Sequence, residues 1–200
     1  MRIGIDFDNT IVSYDTLFYK VAVNQALVPA DLPKSKLAVR DYLRKIDNES
    51  AWTELQGYVY GTKMGDAEAY PLVVEFVKFA RDKGISIAIV SHKTKYPFIG
   101  PKYNLHEAAR GWIENTLKDG DTNLVEPDNV YFELTKEKKI ARIVDIGCDY
   151  FIDDLPEILW MPGFPKNLKR ILFDPEEIHD TDRLYTKLGS WRAINAFFDL

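Results

Sequence analysis

The chain has a single cysteine, Cys148, in 200 residues. That excludes an internal disulfide and suits a reducing compartment. It also lacks any apolar run near the roughly 20 residues that a membrane-spanning helix needs. The first expected strand starts at Arg2 or Ile3, leaving no room for a signal peptide, so a cytoplasmic location and no membrane partner are expected. Positive charge is in short supply: 26 Lys and Arg stand against 31 Asp and Glu, for a net charge of −5. A nucleic-acid backbone wants clustered cations, so no nucleic-acid partner is expected. Internal repeats and low-complexity tracts are missing. Only three histidines occur, and neither His106 nor His179 has sequence neighbours that suggest a metal site. What is present, 46% apolar and 28% charged residues, describes a packed globular protein. The length allows one domain, or a core with a modest insertion.

The elements alternate. Short β-branched runs at 85–90, 129–133 and 149–153 read as buried strands, and 169–173 gives a weaker one. Helical periodicity covers 71–84 with Pro71 in its first turn, 104–120 with Asn104 and Glu107 as a capping box, and 135–147 with Thr135 as N-cap and Gly147 as stop. Residues 190–200 read as a docking helix. Strand and helix in regular alternation predict an α/β fold with a doubly wound, Rossmann-like parallel sheet. Ligands then bind beyond the carboxyl ends of the strands. The stretch 13–65 breaks the rhythm with three expected helices at 16–27, 34–45 and 48–61. The domain expectation is therefore a core of 1–12 and 66–200 with a small α-helical cap insertion of 13–65. A crossover needs far fewer than the 80 residues between Thr10 and Ser91. The surplus is either a lid over the site or an extra helical layer.

The chemistry sits at the strand ends. The first strand ends IGIDFDNT, and alternation turns Asp6 and Asp8 to one side with Phe7 to the other. Two carboxylates so close repel unless a positive charge sits beside them, and a divalent cation is the obvious candidate. The next strand ends in Ser91. A helix then opens with Lys136, Lys138 and Lys139, and the following strand ends in Asp153 and Asp154. Each has an ordinary reading alone: a turn, a loop, a solvated lysine, a helix cap. Four sets in this order, each at the correct end, argue for a site.

These residues resemble the four motifs of the haloacid dehalogenase (HAD) superfamily of aspartate-nucleophile phosphohydrolases. Asp6-Phe7-Asp8-Asn9-Thr10 is similar to the first motif, Ser91 to the second, Lys139 (or next Lys136) to the third, and Asp153-Asp154 to the fourth. The order differs from that of two-component receiver domains, where the lysine comes last. Dehalogenases and phosphonate-cleaving relatives lack an acid at the place of Asp8. The resemblance implies a Mg²⁺-dependent phosphatase: Asp6 as nucleophile and metal ligand, and Asp8 as general acid and base with its carbonyl on the metal. It further implies Asp154 and Asp153 at the metal site in roles that could exchange, and Ser91 and Lys139 on the phosphoryl oxygens. The inserted helices match the position of a small cap and imply a small-molecule phosphate ester. A sugar phosphate is favoured; a nucleoside monophosphate, or phosphate transfer or mutation through the same intermediate, is the alternative. Asn9 and Thr10, with His92, Lys93 and Lys95 from the cation- and aromatic-rich loop 92–104, are the candidate substrate-binding residues. Trp52, Tyr58 and Tyr60 either line a pocket or pack. A monomer or small homo-oligomer is expected.

Overall fold

A computed structural model describes residues 1–199. Two compact units emerge: one of Met1–Val12, Ala69–Lys93 and the chain from Ile113 onward, the other of Ser13–Glu68 with Thr94–Trp112. The first is built on six parallel strands: β1 (Arg2–Ile5), β2 (Ser86–His92), β3 (Val130–Glu133), β4 (Tyr150–Asp153), β5 (Lys169–Phe173) and β6 (Thr186–Leu188). The helices, in chain order, are α1 (Asp15–Asn24), α2 (Lys36–Lys45), α3 (Glu49–Gly61), α4 (Val73–Asp82), α5 (Leu105–Thr116), α6 (Lys136–Asp145), α7 (Pro156–Leu159) and α8 (Trp191–Phe197).

Strand order is β6-β5-β4-β1-β2-β3. The chain moves outward from β1 to β3, then returns to the other side of β1 for β4 to β6. The reversal makes a switch point at the carboxyl ends of β1 and β4, where a doubly wound sheet opens a crevice. Register is pinned by an apolar ladder: Ile5 stands opposite Ile89 on one side and Ile152 on the other. All three are fully buried, as both faces of such a sheet require. The Asp6 N–H donates to the Ile152 carbonyl at 2.9 Å, so the ladder carries Asp6 to the end of β4. The α/β, doubly wound core expected from the sequence is therefore present.

Several elements differ from expectation. The helix expected over 104–120 ends at Thr116, and Lys118–Asp119 pair antiparallel with Thr122–Asn123 instead. Leu72 takes a left-handed backbone (φ 71°), so α4 begins at Val73 and Pro71 precedes it rather than sitting in its first turn. β6 was not among the expected strands: its three residues, Thr186–Leu188, are too few to show a period-two pattern. The expected cap on α6 is made, with Thr135 Oγ1 accepting from the Lys138 N–H at 3.2 Å, and Gly147 (φ 67°) follows its end. The C-terminal helix docks as expected: Trp191 is 1% exposed and its indole N–H donates to the Thr10 carbonyl at 2.9 Å.

The second unit packs α1, α2 and α3 around an aromatic centre. Phe18 contacts Trp52, Tyr14 and Tyr60, and Trp52 is buried there as packing. The Lys36 ammonium lies 5.6–5.7 Å from the ring centroids of Tyr14, Phe18 and Tyr60, a cation–π arrangement. Thr94–Trp112, expected in the core, belongs to this helical unit instead. The reason is close packing on α3. A Cβ at Gly57 would come to 2.7 Å of the Pro97 Cβ, and one at Gly61 would overlap the Tyr103 side chain. The two glycines leave the notches into which Pro97 and Tyr103 fit. Trp112 Nε1 donates to the Ala67 carbonyl at 2.9 Å and ties the segment's far end.

Candidate active site

Asp6, one residue past β1, is buried (5% exposed). Lys139 reaches it from the first turn of α6. That turn is set by the Thr135 cap and by the Lys139 N–H donating to the Thr135 carbonyl at 3.0 Å. The Lys139 ammonium donates to Asp6 Oδ1 and to Asp153 Oδ2, both at 2.6 Å. Asp153, fully buried at the end of β4, uses its other oxygen, Oδ1, to accept the Leu155 N–H at 2.9 Å. Both Asp153 oxygens are thus engaged by protein donors. Asp154, half-buried, lies with Oδ1 3.4 Å from the Thr10 hydroxyl, which donates to it. One carboxylate oxygen from each of Asp6, Asp153 and Asp154 lies within 4.8 Å of the other two.

Of the three lysines at the head of α6, only Lys139 turns inward. Lys136 pairs with Glu157 at 2.6 Å at the exposed surface, and Lys138 is exposed. Lys138, one position before Lys139, points to a different side of the helix. Lys136, three positions before, shares the Lys139 side but is the first helical residue and reaches out to Glu157 instead.

Asp8 faces a different cation. Lys93 Nζ donates to Asp8 Oδ1 at 2.9 Å and to Oδ2 at 2.7 Å. Lys93 is 5% exposed and Ser91 1%. Lys93 continues the line of β2 by one residue, its N–H donating to the Glu133 carbonyl, so it and Ser91 project on one face with His92 on the other. The His92 imidazole is hydrogen-bonded to the backbone of Leu134; burial lowers its pKa, with Lys139 and Lys136 adding to the effect. Phe7, between the two aspartates, is fully buried and meets Phe132 edge to face at 5.8 Å. After Asp8 the chain turns sharply: Asn9 sits in the left-handed region (φ 58°), which Asn tolerates better than most residues. The Ile11 and Val12 N–H groups then both donate to the Phe7 carbonyl. Lys95 is exposed in the helical unit, 5.6 Å from the Tyr96 ring.

Burial pushes the Asp6 carboxyl up to about 7; Lys139 opposes this, while Asp153 and Asp8 reinforce it. Burial works against the Lys139 ammonium, yet the Asp153 and Asp6 carboxylates outweigh it and its pKa is raised. Lys139 is therefore a permanent cation. Four carboxylates (Asp6, Asp8, Asp153 and Asp154) face two ammonium groups, leaving two excess negative charges when all are ionised. A hard divalent cation fits that charge and the all-oxygen donor set.

Two contacts lay outside sequence reasoning. Lys93 was expected in the loop after Ser91 as a substrate-binding cation, and its Asp8 partner was not foreseen. Asp174, just past β5, is 3% exposed and accepts the Ile178 and His179 N–H groups at 3.2 and 3.0 Å, closing the following loop. Its role there is structural.

No model of a known protein family matches the sequence, and no curated protein does. Solved structures do match. A HAD family hydrolase from Deinococcus radiodurans, with bound phosphate and sodium, superposes with TM-score 0.58 at 16% identity, covering 98% of this chain and 94% of that one. A β-phosphoglucomutase from Pyrococcus gives 0.55 at 13% identity over 99% and 97%. A phosphoserine phosphohydrolase-like protein from Francisella tularensis gives 0.53 at 13% identity over 98% of each chain. The likeness runs the length of the chain in every case, and at these identities it is one of fold: this chain has the fold of the haloacid dehalogenase superfamily.

Proposed function

We propose that the protein is a Mg²⁺-dependent phosphatase that hydrolyses a small phosphomonoester through an aspartyl-phosphate on Asp6. The observation that carries the reading is the convergence of Asp6, Asp8, Asp153 and Asp154 with Lys139 at the switch point of the sheet. Asp6 and Asp154 would hold the ion, with the Asp8 backbone carbonyl, because Lys139 and the Leu155 N–H already occupy both oxygens of Asp153. Bound there, Mg²⁺ would offset the excess negative charge and draw in the phosphoryl oxygens.

Asp6 attacks phosphorus with one carboxylate oxygen, forming a P–O bond as the ester P–O bond breaks. The leaving oxygen keeps that electron pair and takes a proton from the Asp8 carboxyl, leaving as an alcohol. Asp8, now a carboxylate, removes a proton from water. The water oxygen attacks phosphorus, the bond to Asp6 breaks, and phosphate departs with Asp6 restored. Lys139 neutralises charge on the phosphoryl group as it transfers, and the Ser91 hydroxyl donates to another of its oxygens. Asp153 keeps Lys139 aimed at the reacting centre. An acid at Asp8 favours ester hydrolysis over dehalogenation, which needs no proton on the leaving group.

The test is phosphate release from a panel of phosphomonoesters, sugar phosphates first and nucleoside monophosphates beside them. Each is assayed with Mg²⁺ and with EDTA, for the wild type and Asp6→Asn. Metal-dependent release by the wild type, largely lost in the variant, is expected. Release that survives Asp6→Asn would overturn the nucleophile.

A further inference from the structure

Lys93 is a buried cation that the hydrolytic scheme leaves without a task. Its side chain is 4% exposed, and its ammonium donates to both oxygens of Asp8, at 2.9 and 2.7 Å. The backbone is held as firmly as the head group: the Lys93 N–H donates to the Glu133 carbonyl at 2.9 Å, extending the β2–β3 pairing by one residue. The ammonium also lies 5.6 Å from the centroid of the buried Phe7 ring, whose negative face favours a cation. Asp8 keeps 21% of its side chain exposed, so the clamp leaves it reachable from solvent.

From this geometry we infer that Lys93 is a positioning residue for Asp8, a reading that rests on the phosphatase activity proposed above. A lone aspartate rotates about χ1 and χ2. With both oxygens bound to one fixed ammonium, the carboxylate plane is set by β2 rather than by the turn that carries Asp8. That turn runs through a left-handed Asn9 and fixes the Asp8 backbone, not its carboxylate, which must meet a leaving oxygen within hydrogen-bond reach. Lys93 and Lys139 therefore divide the work: Lys139 serves the nucleophile and the phosphoryl group, Lys93 the proton-transfer group.

A double-mutant cycle separates this from a structural or substrate-binding role. Wild type, K93M, D8N and K93M/D8N are assayed for kcat and KM on the best phosphomonoester with Mg²⁺, each protein first shown to melt cooperatively. K93M is expected to lower kcat by about 10- to 100-fold, inside the range attributed to general acid–base catalysis. KM should move little. In the D8N background, where no carboxylate remains to be placed, adding K93M should change kcat by less than about twofold, because effects acting through one group do not add. K93Q, which removes the charge and keeps a polar end, serves in the same cycle if K93M fails to melt cooperatively. Effects of K93 and D8 substitution that multiply would overturn the inference. A rise in KM at unchanged kcat would overturn it too, and would make Lys93 a substrate-binding cation. No phosphate release by the wild type from any substrate is a different failure, one that removes the phosphatase reading and this role with it.

Discussion

Lys139 separates a residue that holds the site from its surface neighbours. It stands between two buried carboxylates at 2.6 Å, and Met has nearly its length without its charge. Lys139→Met leaves Asp6 and Asp153 facing each other uncompensated, so a loss of about 3 kcal/mol or more is expected in urea unfolding, as for other broken buried pairs. Phosphate release should fall at least ~100-fold, since a preorganised donor to the transferring group is gone. Lys136→Met, three positions earlier, removes an exposed pair with Glu157 and should cost under about 1 kcal/mol. Equal effects from the two would sink the assignment. At this scale the sequence was informative about residue type and strand end, but not about direction. Three lysines in one helical turn are equivalent on paper until a helix axis is placed. Lys93 shows the same limit: its type was legible and it was expected in a loop, but its burial against a partner 85 residues away was not.

Among the elements, α6 matters most because it delivers Lys139. Its Thr135 cap accepts the Lys138 N–H, and Thr135→Ala should cost about 1 kcal/mol, read as a lowered melting temperature. A smaller fall in kcat should accompany it as the first turn frays, and an unchanged melt would deny the cap any role. In α3 propensity and packing pull in opposite directions. Gly57→Ala gains roughly 0.5–1 kcal/mol of intrinsic helix preference. The same Cβ meets Pro97 at 2.7 Å, and proline cannot swing aside. Packing should win, and the variant should melt below wild type; a higher melting temperature would show the notch to be slack. That fit also explains why the placement of 94–112 escaped sequence reasoning. Local patterns predict strands, helices and caps such as Thr135, but a glycine notch receiving a distant proline leaves no periodic trace. The short β6 and the left-handed Leu72 escaped for a similar reason, since neighbours rather than local propensity hold them.

For the whole molecule the excess of acid at the site becomes a question of pH. Burial raises the Asp6 pKa from its ordinary 3.8 to about 7. Between those values the folded protein holds a proton that the unfolded chain has released. Stability from this group therefore declines as pH rises through the window, and levels off above about 7. Exposed carboxylates with lowered pKa values, Glu49 and Asp119 among them, act in the opposite sense, so the wild-type curve alone is ambiguous. Asp6→Asn removes the one group and leaves the others. The stability difference, wild type minus variant, should fall steadily from pH 4 to 7 in EDTA and then flatten. Mg²⁺ should reverse the trend, because a cation binds the ionised carboxylate and stabilises the state that holds it. Its stabilisation of the wild type should grow with pH across the same window and be much smaller in Asp6→Asn. Denaturant melts at four pH values, with EDTA and with Mg²⁺, give both quantities from one set of samples. A pH-independent difference would mean that Asp6 stays ionised throughout, with Lys139 outweighing burial. Equal Mg²⁺ stabilisation of both proteins would move the ion away from Asp6.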